Sequence, residues 1–210
     1  MAQNMIVEFF IMDKVNVYIL DTRKRTLNEL LSFANLSVED EKSLDKFKII
    51  DVKKEHVASI YFKNKYIGET YLNEYGKPLS KNVFFNISHS KGVVVLGVCK
   101  TRDIGVDVEV IRSKDEELVK YICNEEEYAF IKNEIDFFTV WTNKESLVKC
   151  LGTGIRNKIK TIPSLPVNGP KAFSNEEFYS KAIRNGDHVI SLTLKGDKDF
   201  EYELNVESVN

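Results

Sequence analysis

The stretch GVDVEV at 105–110 constrains this chain more than any other. At the two-residue period of a β-strand, Val106, Val108 and Val110 point one way, and Asp107 and Glu109 point the other. Side chains two residues apart on a strand stand roughly 6.6 Å apart. At an effective dielectric of about 20, two such negative charges repel by roughly 2–3 kcal/mol. A solvated surface strand screens that repulsion. A strand half-buried by its valines tolerates it only if positive charge arrives, and a hard cation such as Mg²⁺ suits two carboxylates.

The rest of the chain reads as a globular protein with a sizeable core. It has 210 residues, 43% hydrophobic and 30% charged, with four prolines. The length allows one large domain or two small ones. A net charge of −2 argues against a protein that coats nucleic acid. The charge is uneven: lysines 42, 46, 48, 53, 54, 63 and 65 crowd one stretch against Asp45, Asp51 and Glu55. That stretch is either a solvated lysine-rich helix or a small basic site for a phosphate. Three cysteines, Cys99, Cys123 and Cys150, are widely spaced and apolar in context, which indicates core residues rather than a disulfide framework or zinc site. The first twenty residues are apolar but interrupted by Glu8 and Asp13, so they read as strands and not as a leader. A cytoplasmic protein without membrane spans is expected.

Strand patterns fall at 5–11, 15–20, 83–88, 92–99, 104–110, 188–194 and 200–207, and helical patterns near 23–34, 38–47, 53–67, 115–122, 125–133 and 136–151. Ser37 with Asp40, and Asn124 with Glu127, have the spacing of helix-starting caps. The mixture is α+β. A turn-rich stretch at 73–82 precedes the central strands, and 152–171, with three of the four prolines, reads as a surface excursion.

Two more stretches carry chemistry. On the helix at 136–151, Trp141, Glu145, Val148 and Gly152 share one face, flanked by Lys144 and Lys149. Glu145 is either an ordinary i, i+4 partner of Lys149 or a third carboxylate beside Asp107 and Glu109. In FFNISHS at 84–90, Ser88, His89 and nearby turn amides combine groups that can bind a phosphate, although a lone histidine at a strand end is often structural. The chain carries neither a GxxxxGK[ST] loop nor GxGxxG, HExxH or GxSxG.

Together, GVDVE at 105–109, WTNKESLVKCLG at 141–152 and YGKPL with NISHS between 75 and 90 resemble the signature motifs of the 4′-phosphopantetheinyl transferases. Their order and spacing are similar to the larger, surfactin-type branch. The resemblance implies two similar α/β halves packed as a pseudo-dimer, each with a small antiparallel sheet and a long helix. Residues 1–103 would form the half on the side of the coenzyme A adenine and 3′-phosphate, and 104–210 the half bearing the metal motifs. Asp107, Glu109 and Glu145 would be Mg²⁺ ligands, with Glu145 also placed to act as base. Lys149 would meet the coenzyme A pyrophosphate, with help from Lys144. Ser88 and His89 would bind phosphate, His89 near the 3′-phosphate, while Gly76, Lys77 and Pro78 would line the adenine pocket. Lys48, Lys53 or Lys63 stand where the family usually places basic residues for the 3′-phosphate, and Glu127 where it often carries an acid, although a cap explains Glu127 equally well.

The reaction so implied is Mg²⁺-dependent transfer of phosphopantetheine from coenzyme A to a serine of an apo acyl or peptidyl carrier protein, releasing 3′,5′-ADP, by a monomer that engages neither nucleic acid nor membrane. Two rivals use the same acids. One is a Mg²⁺-dependent nuclease or phosphohydrolase, which the missing lysine after Glu109 disfavours. The other is a non-catalytic relative that binds coenzyme A or a carrier protein.

Overall fold

A computed structural model describes residues 12–154 and 159–208. The strand expected over 5–11 lies outside them. Within them the chain is α+β, as expected, with its strands in two four-stranded sheets and one small hairpin.

The first sheet has the order β10-β1-β5-β4, from β1 (Asp13–Asp21), β4 (Phe84–Ser90), β5 (Val93–Cys99) and β10 (Phe200–Val206). β1 pairs antiparallel with β5 and parallel with β10, Asp13 opposite Phe200. The last strand therefore crosses the expected division at 103/104 and completes the first sheet. The second sheet is antiparallel throughout, in the order β6-β9-β8-β7: β6 (Ile104–Val110), β7 (Gly169–Phe173), β8 (Glu176–Asn185) and β9 (His188–Lys195).

The two sheets share a core. Val15, Val17, Val93 and Val95 of the first pack with Val106, Val108, Ile190 and Leu192 of the second, all buried. Each such side chain contributes about 1.5–3 kcal/mol on leaving water. The opposite face of the first sheet, with Leu20, Val94 and Leu96, is covered by α1 (Leu27–Ala34) and α3 (Ile50–Tyr66). The opposite face of the second is covered by α6 (Glu134–Leu151), whose Thr142 and Ser146 hydroxyls meet Ser191 and Thr193 of β9 at 2.7 and 2.8 Å. The layers thus run helix, sheet, sheet, helix.

Helix starts follow the local chemistry. α2 (Val38–Leu44) and α5 (Glu125–Phe130) open on the expected caps, Ser37 with Asp40 and Asn124 with Glu127, each a full capping box. The pattern at 23–34 is not one helix. A 3₁₀ turn at Thr22–Lys24 precedes α1, because Thr26 and Glu29 form a further capping box that starts the helix afresh. The remaining helix, α4 (Glu116–Ile122), lies close to expectation.

Two strands of the second sheet run where none was expected. In β8 the apolar alternation is broken by Ser180, which is buried and bonds Thr193 at 2.9 Å, so its inward face does not read as hydrophobic. β7 opens on Gly169 and Pro170, which read as turn residues; an edge strand tolerates the proline. The turn-rich stretch at 73–82 closes the small hairpin of β2 (Tyr71–Leu72) and β3 (Pro78–Leu79).

Beyond the shared core, an ion pair clamps the sheets. Arg23, just past β1, reaches the β8–β9 turn, where its Nη1 lies 2.5 Å from Asp187 Oδ2. Its hydrogen bonds, with help from His188, hold the Asp187 carboxyl well below the usual carboxylate range. A carboxyl depressed on folding adds stability above its unfolded pKa, about 3.9, and that stability is lost as pH falls below it. Both partners are more than a third exposed, so solvent screening holds the contribution to about 0.2–1 kcal/mol. Urea unfolding at pH 7 and pH 3 should show Asp187→Asn less stable than the parent at pH 7, with the gap narrowed at pH 3.

Candidate active site

The valines and acids of β6 are sorted by its two covers. Val106 and Val108 enter the core between the sheets, while Gly105, Asp107 and Glu109 face α6. Gly105 makes this contact possible. A Cβ there would stand 1.9 Å from the Ser146 carbonyl oxygen and 2.3 Å from the Cys150 nitrogen, so only glycine lets strand and helix backbones come this close. The approach carries Asp107, 5% exposed, to Lys149 on α6.

A polar seam joins β6 to β4 on its other edge. The β6 amides of Val106, Val108 and Val110 donate to Asn86 Oδ1, Ser88 Oγ and Ser90 Oγ at 2.9, 3.4 and 3.4 Å. Side chains of one edge strand thus satisfy the backbone of another, and the two sheets meet without a backbone ladder between them. The same serines donate onward, Ser88 to Asp107 Oδ1 at 2.9 Å and Ser90 to Glu109 Oε2 at 2.7 Å. Asn86 and Ser90 were not among the expected site residues. Their signal is the period-two run Asn86, Ser88, Ser90 on one face of an otherwise apolar strand.

Lys149 Nζ completes the cluster, 2.6 Å from Asp107 Oδ1 and 3.0 Å from Ser88 Oγ. It pairs with the strand acid rather than with Glu145 in its own helix. Asp107 Oδ2, though buried, has no hydrogen-bond partner. Burial raises the Asp107 pKa, with Glu109 adding to the rise, against the lowering effect of Lys149 and Ser88. The Glu145 pKa is also raised, first by burial and then by Asp107 and Glu109, with Lys149 opposing. The three acids therefore sense one another's charge.

They do not form a ready-made ligand set. Among the described residues, no group of three or more His, Cys, Asp or Glu side chains stands as a metal cluster. The physical reason is that Lys149 holds Asp107, while Glu109 accepts from the Trp141 indole at 3.4 Å and from Arg112 at 2.9 Å.

Beside these acids opens a cleft of about 370 Å³ whose lining includes Gly76, Lys77, Pro78, Asn86, Glu145 and Lys149. Four residues expected from separate motifs around this ligand space, Gly76, Lys77, Pro78 and Lys149, meet there with Glu145. The Lys77 ammonium is tied to the carbonyls of Ile104 (3.3 Å) and Cys150 (3.1 Å), and burial lowers its pKa. It pins the hairpin loop to the β6–α6 junction.

Lys144 and His89 stand elsewhere. Lys144 is wholly buried, 2.8 Å from Glu127 Oε1 and bonded to the carbonyls of Ile159 and Ile162. It therefore takes no part in lining the cleft. Its partner Glu127 is the capping residue of α5 and also accepts from Ser164. Ser88 and His89, neighbours on β4, project to opposite faces: Ser88 toward β6, His89 toward α3, where its Nδ1 lies 3.0 Å from Glu55 Oε2. They cannot close together on one small phosphate, as their adjacency suggested. Of the crowded lysines, Lys54 pairs with Asp51 and Lys65 with Glu207, both structural contacts.

Buried acids thus stand against a lysine beside an open cleft. Residues 103–193, which hold β6, α6 and most of the second sheet, match the family model of the 4′-phosphopantetheinyl transferase superfamily. It is 36% identical over 90 residues to the 4′-phosphopantetheinyl transferase gsp of Aneurinibacillus migulanus, covering 40% of this chain and 38% of that protein. It is 35% identical over 94 residues to HetI of Nostoc sp. (38% and 40%), and 32% over 89 residues to psf-1 of Bacillus pumilus (38% of each). The chain thus spans about two-fifths of the length of these curated relatives. No helix among the described residues is long and apolar enough to cross a membrane.

The close approach at Gly105 is testable. Gly105→Ala forces β6 and α6 apart, with a loss of about 1–3 kcal/mol or more. Because the shift also pulls Asp107 from Lys149, ligand binding to the cleft should weaken at temperatures where the variant remains folded. Urea titration and calorimetry with coenzyme A would read the two effects separately.

Proposed function

We propose that this protein transfers the phosphopantetheine group of coenzyme A to a serine of an apo carrier protein, releasing 3′,5′-ADP. The observation that supports it most is the buried, unpartnered Asp107 Oδ2 beside Lys149, which lines a cleft together with residues of YGKPL, NISHS and WTNKES. A pyrophosphate suits that cleft, because Lys149 supplies one cation and is about a third exposed toward it.

Mg²⁺ fits this donor set. The acids offer hard oxygen ligands, one of them buried and uncommitted, and Asp107 and Glu109 lie near enough to raise the Glu145 pKa. Asp107, Glu109 and Glu145 would hold the ion, with Arg112 and Lys149 giving up their present carboxylate contacts to the diphosphate. Bound there, Mg²⁺ would neutralise the pyrophosphate and polarise the phosphorus under attack.

The chain's own groups do the rest. Lys149 orients the diphosphate, and Ser88 keeps Asp107 in place. Gly76, Lys77 and Pro78 provide the wall on which the adenosine end rests. Glu145 takes the proton of the attacking serine, directly or through a water. Two similar halves in one monomeric chain, working in the cytoplasm, complete the reading. The nuclease alternative has no comparable support, since Glu109 is followed by Val110 and Ile111 rather than by a lysine.

Incubation with coenzyme A, Mg²⁺ and a panel of apo-carrier proteins, followed by intact-mass spectrometry, should show a carrier gaining one phosphopantetheine. Glu145→Gln should lose at least a hundredfold in that rate while keeping the parent's circular dichroism. Binding of coenzyme A with no carrier modified would indicate the non-catalytic relative, and turnover of Glu145→Gln at the parent's rate would remove Glu145 as the base.

A further inference from the structure

Glu55 sits within α3 on the face turned to the first sheet and is 6% exposed. Its Oε1 accepts the Gly92 amide at 2.6 Å, and its Oε2 lies 3.0 Å from His89 Nδ1. Gly92 and Lys91 form the two-residue turn between β4 and β5, both with positive φ, which aims the Gly92 amide at α3. A turn amide and an imidazole converging on a pair of oxygens is how a protein holds an external oxyanion. Here the oxyanion is a side chain of the protein itself.

Two of the three cations around it are already committed. A cavity of about 640 Å³ opens at this turn, with Arg23, Lys54 and Lys91 among its walls, and Asp51 and Glu55 against them. Arg23 is engaged by Asp21 and Asp187, and Lys54 by Asp51 and the Arg25 carbonyl. A phosphate monoester carries close to two negative charges at neutral pH. To bind here it would need the amide and imidazole that Glu55 already holds, and it would lie against a like charge.

We propose that Glu55 is a specificity-determining residue: its carboxylate fills the anion position at the β4–β5 turn, so that the chain binds a pantetheine-bearing nucleotide lacking the 3′-phosphate at least as readily as coenzyme A. The inference rests on the transferase reading, which supplies the donor, and on the motif resemblance, which implies its 3′-phosphate near His89. Glu55 acts through charge and by occupying two hydrogen-bonding groups, both of which a substitution can remove.

The test is calorimetric titration of the full chain, in Mg²⁺, with coenzyme A and with 3′-dephospho-coenzyme A. The parent should bind the two with dissociation constants within threefold of each other. Glu55→Ala, which frees His89 and the Gly92 amide, should shift the ratio at least tenfold toward coenzyme A. Glu55→Gln, which keeps the bulk and an acceptor for Gly92 but removes the charge, should shift it in the same direction and serves if the alanine variant does not fold. A parent that prefers coenzyme A tenfold or more, or a ratio unchanged in the folded variants, would overturn the inference and leave the transferase reading standing. Binding of neither nucleotide would overturn both.

Discussion

The contact between Asp107 and Lys149 is the point on which the site depends, and it rests on a backbone approach rather than on the charges. A buried carboxylate is expensive to desolvate, and one ammonium at 2.6 Å offsets only part of that expense. Lys149 reaches Asp107 because Gly105, two residues earlier on the same strand, lets α6 lie almost on the backbone of β6. Any side chain at 105 would lift the helix and leave the acid buried without its cation. Geometry therefore comes first here, and the electrostatics follow from it.

The same economy appears on the other edge of β6. Two edge strands that face each other would ordinarily pair through their backbones or be blocked. Here Asn86, Ser88 and Ser90 take the β6 amides on side-chain oxygens, and two of the three pass a hydrogen bond on to an acid of β6. The seam that joins the sheets is thus also the support of the acids. This explains why strand order and site chemistry are inseparable in this fold, and why a residue that reads as fold-building, such as Ser88, also lies in contact with Asp107 and Lys149.

Much of this was legible in the residues. The alternation of GVDVEV places its acids on one face, and the helical spacing of Glu145 and Lys149 puts both on the side of α6 that borders the cleft. The caps at Ser37 and Asn124 start helices where their chemistry requires. Less legible was β8, because Ser180 is polar at a core position and its partner Thr193 is thirteen residues away. Lys144 looked like a ligand group only because spacing along a helix does not reveal which side is packed. Glu127, seventeen residues earlier in the chain, claims it in the interior.

The sequence by itself determined the α+β class, most of the elements, the pairing of acids on one strand face and the family model that 103–193 matches, because these follow from local periodicity and from motifs a few residues long. Only the tertiary structure decided which cation meets which acid. It assigned Lys149 to Asp107, Lys144 to Glu127 and His89 to Glu55, and it brought β10 back beside β1. Those pairings join residues from 17 to 187 positions apart. Such distances are set by how sheets and helices stack, and no local propensity encodes them.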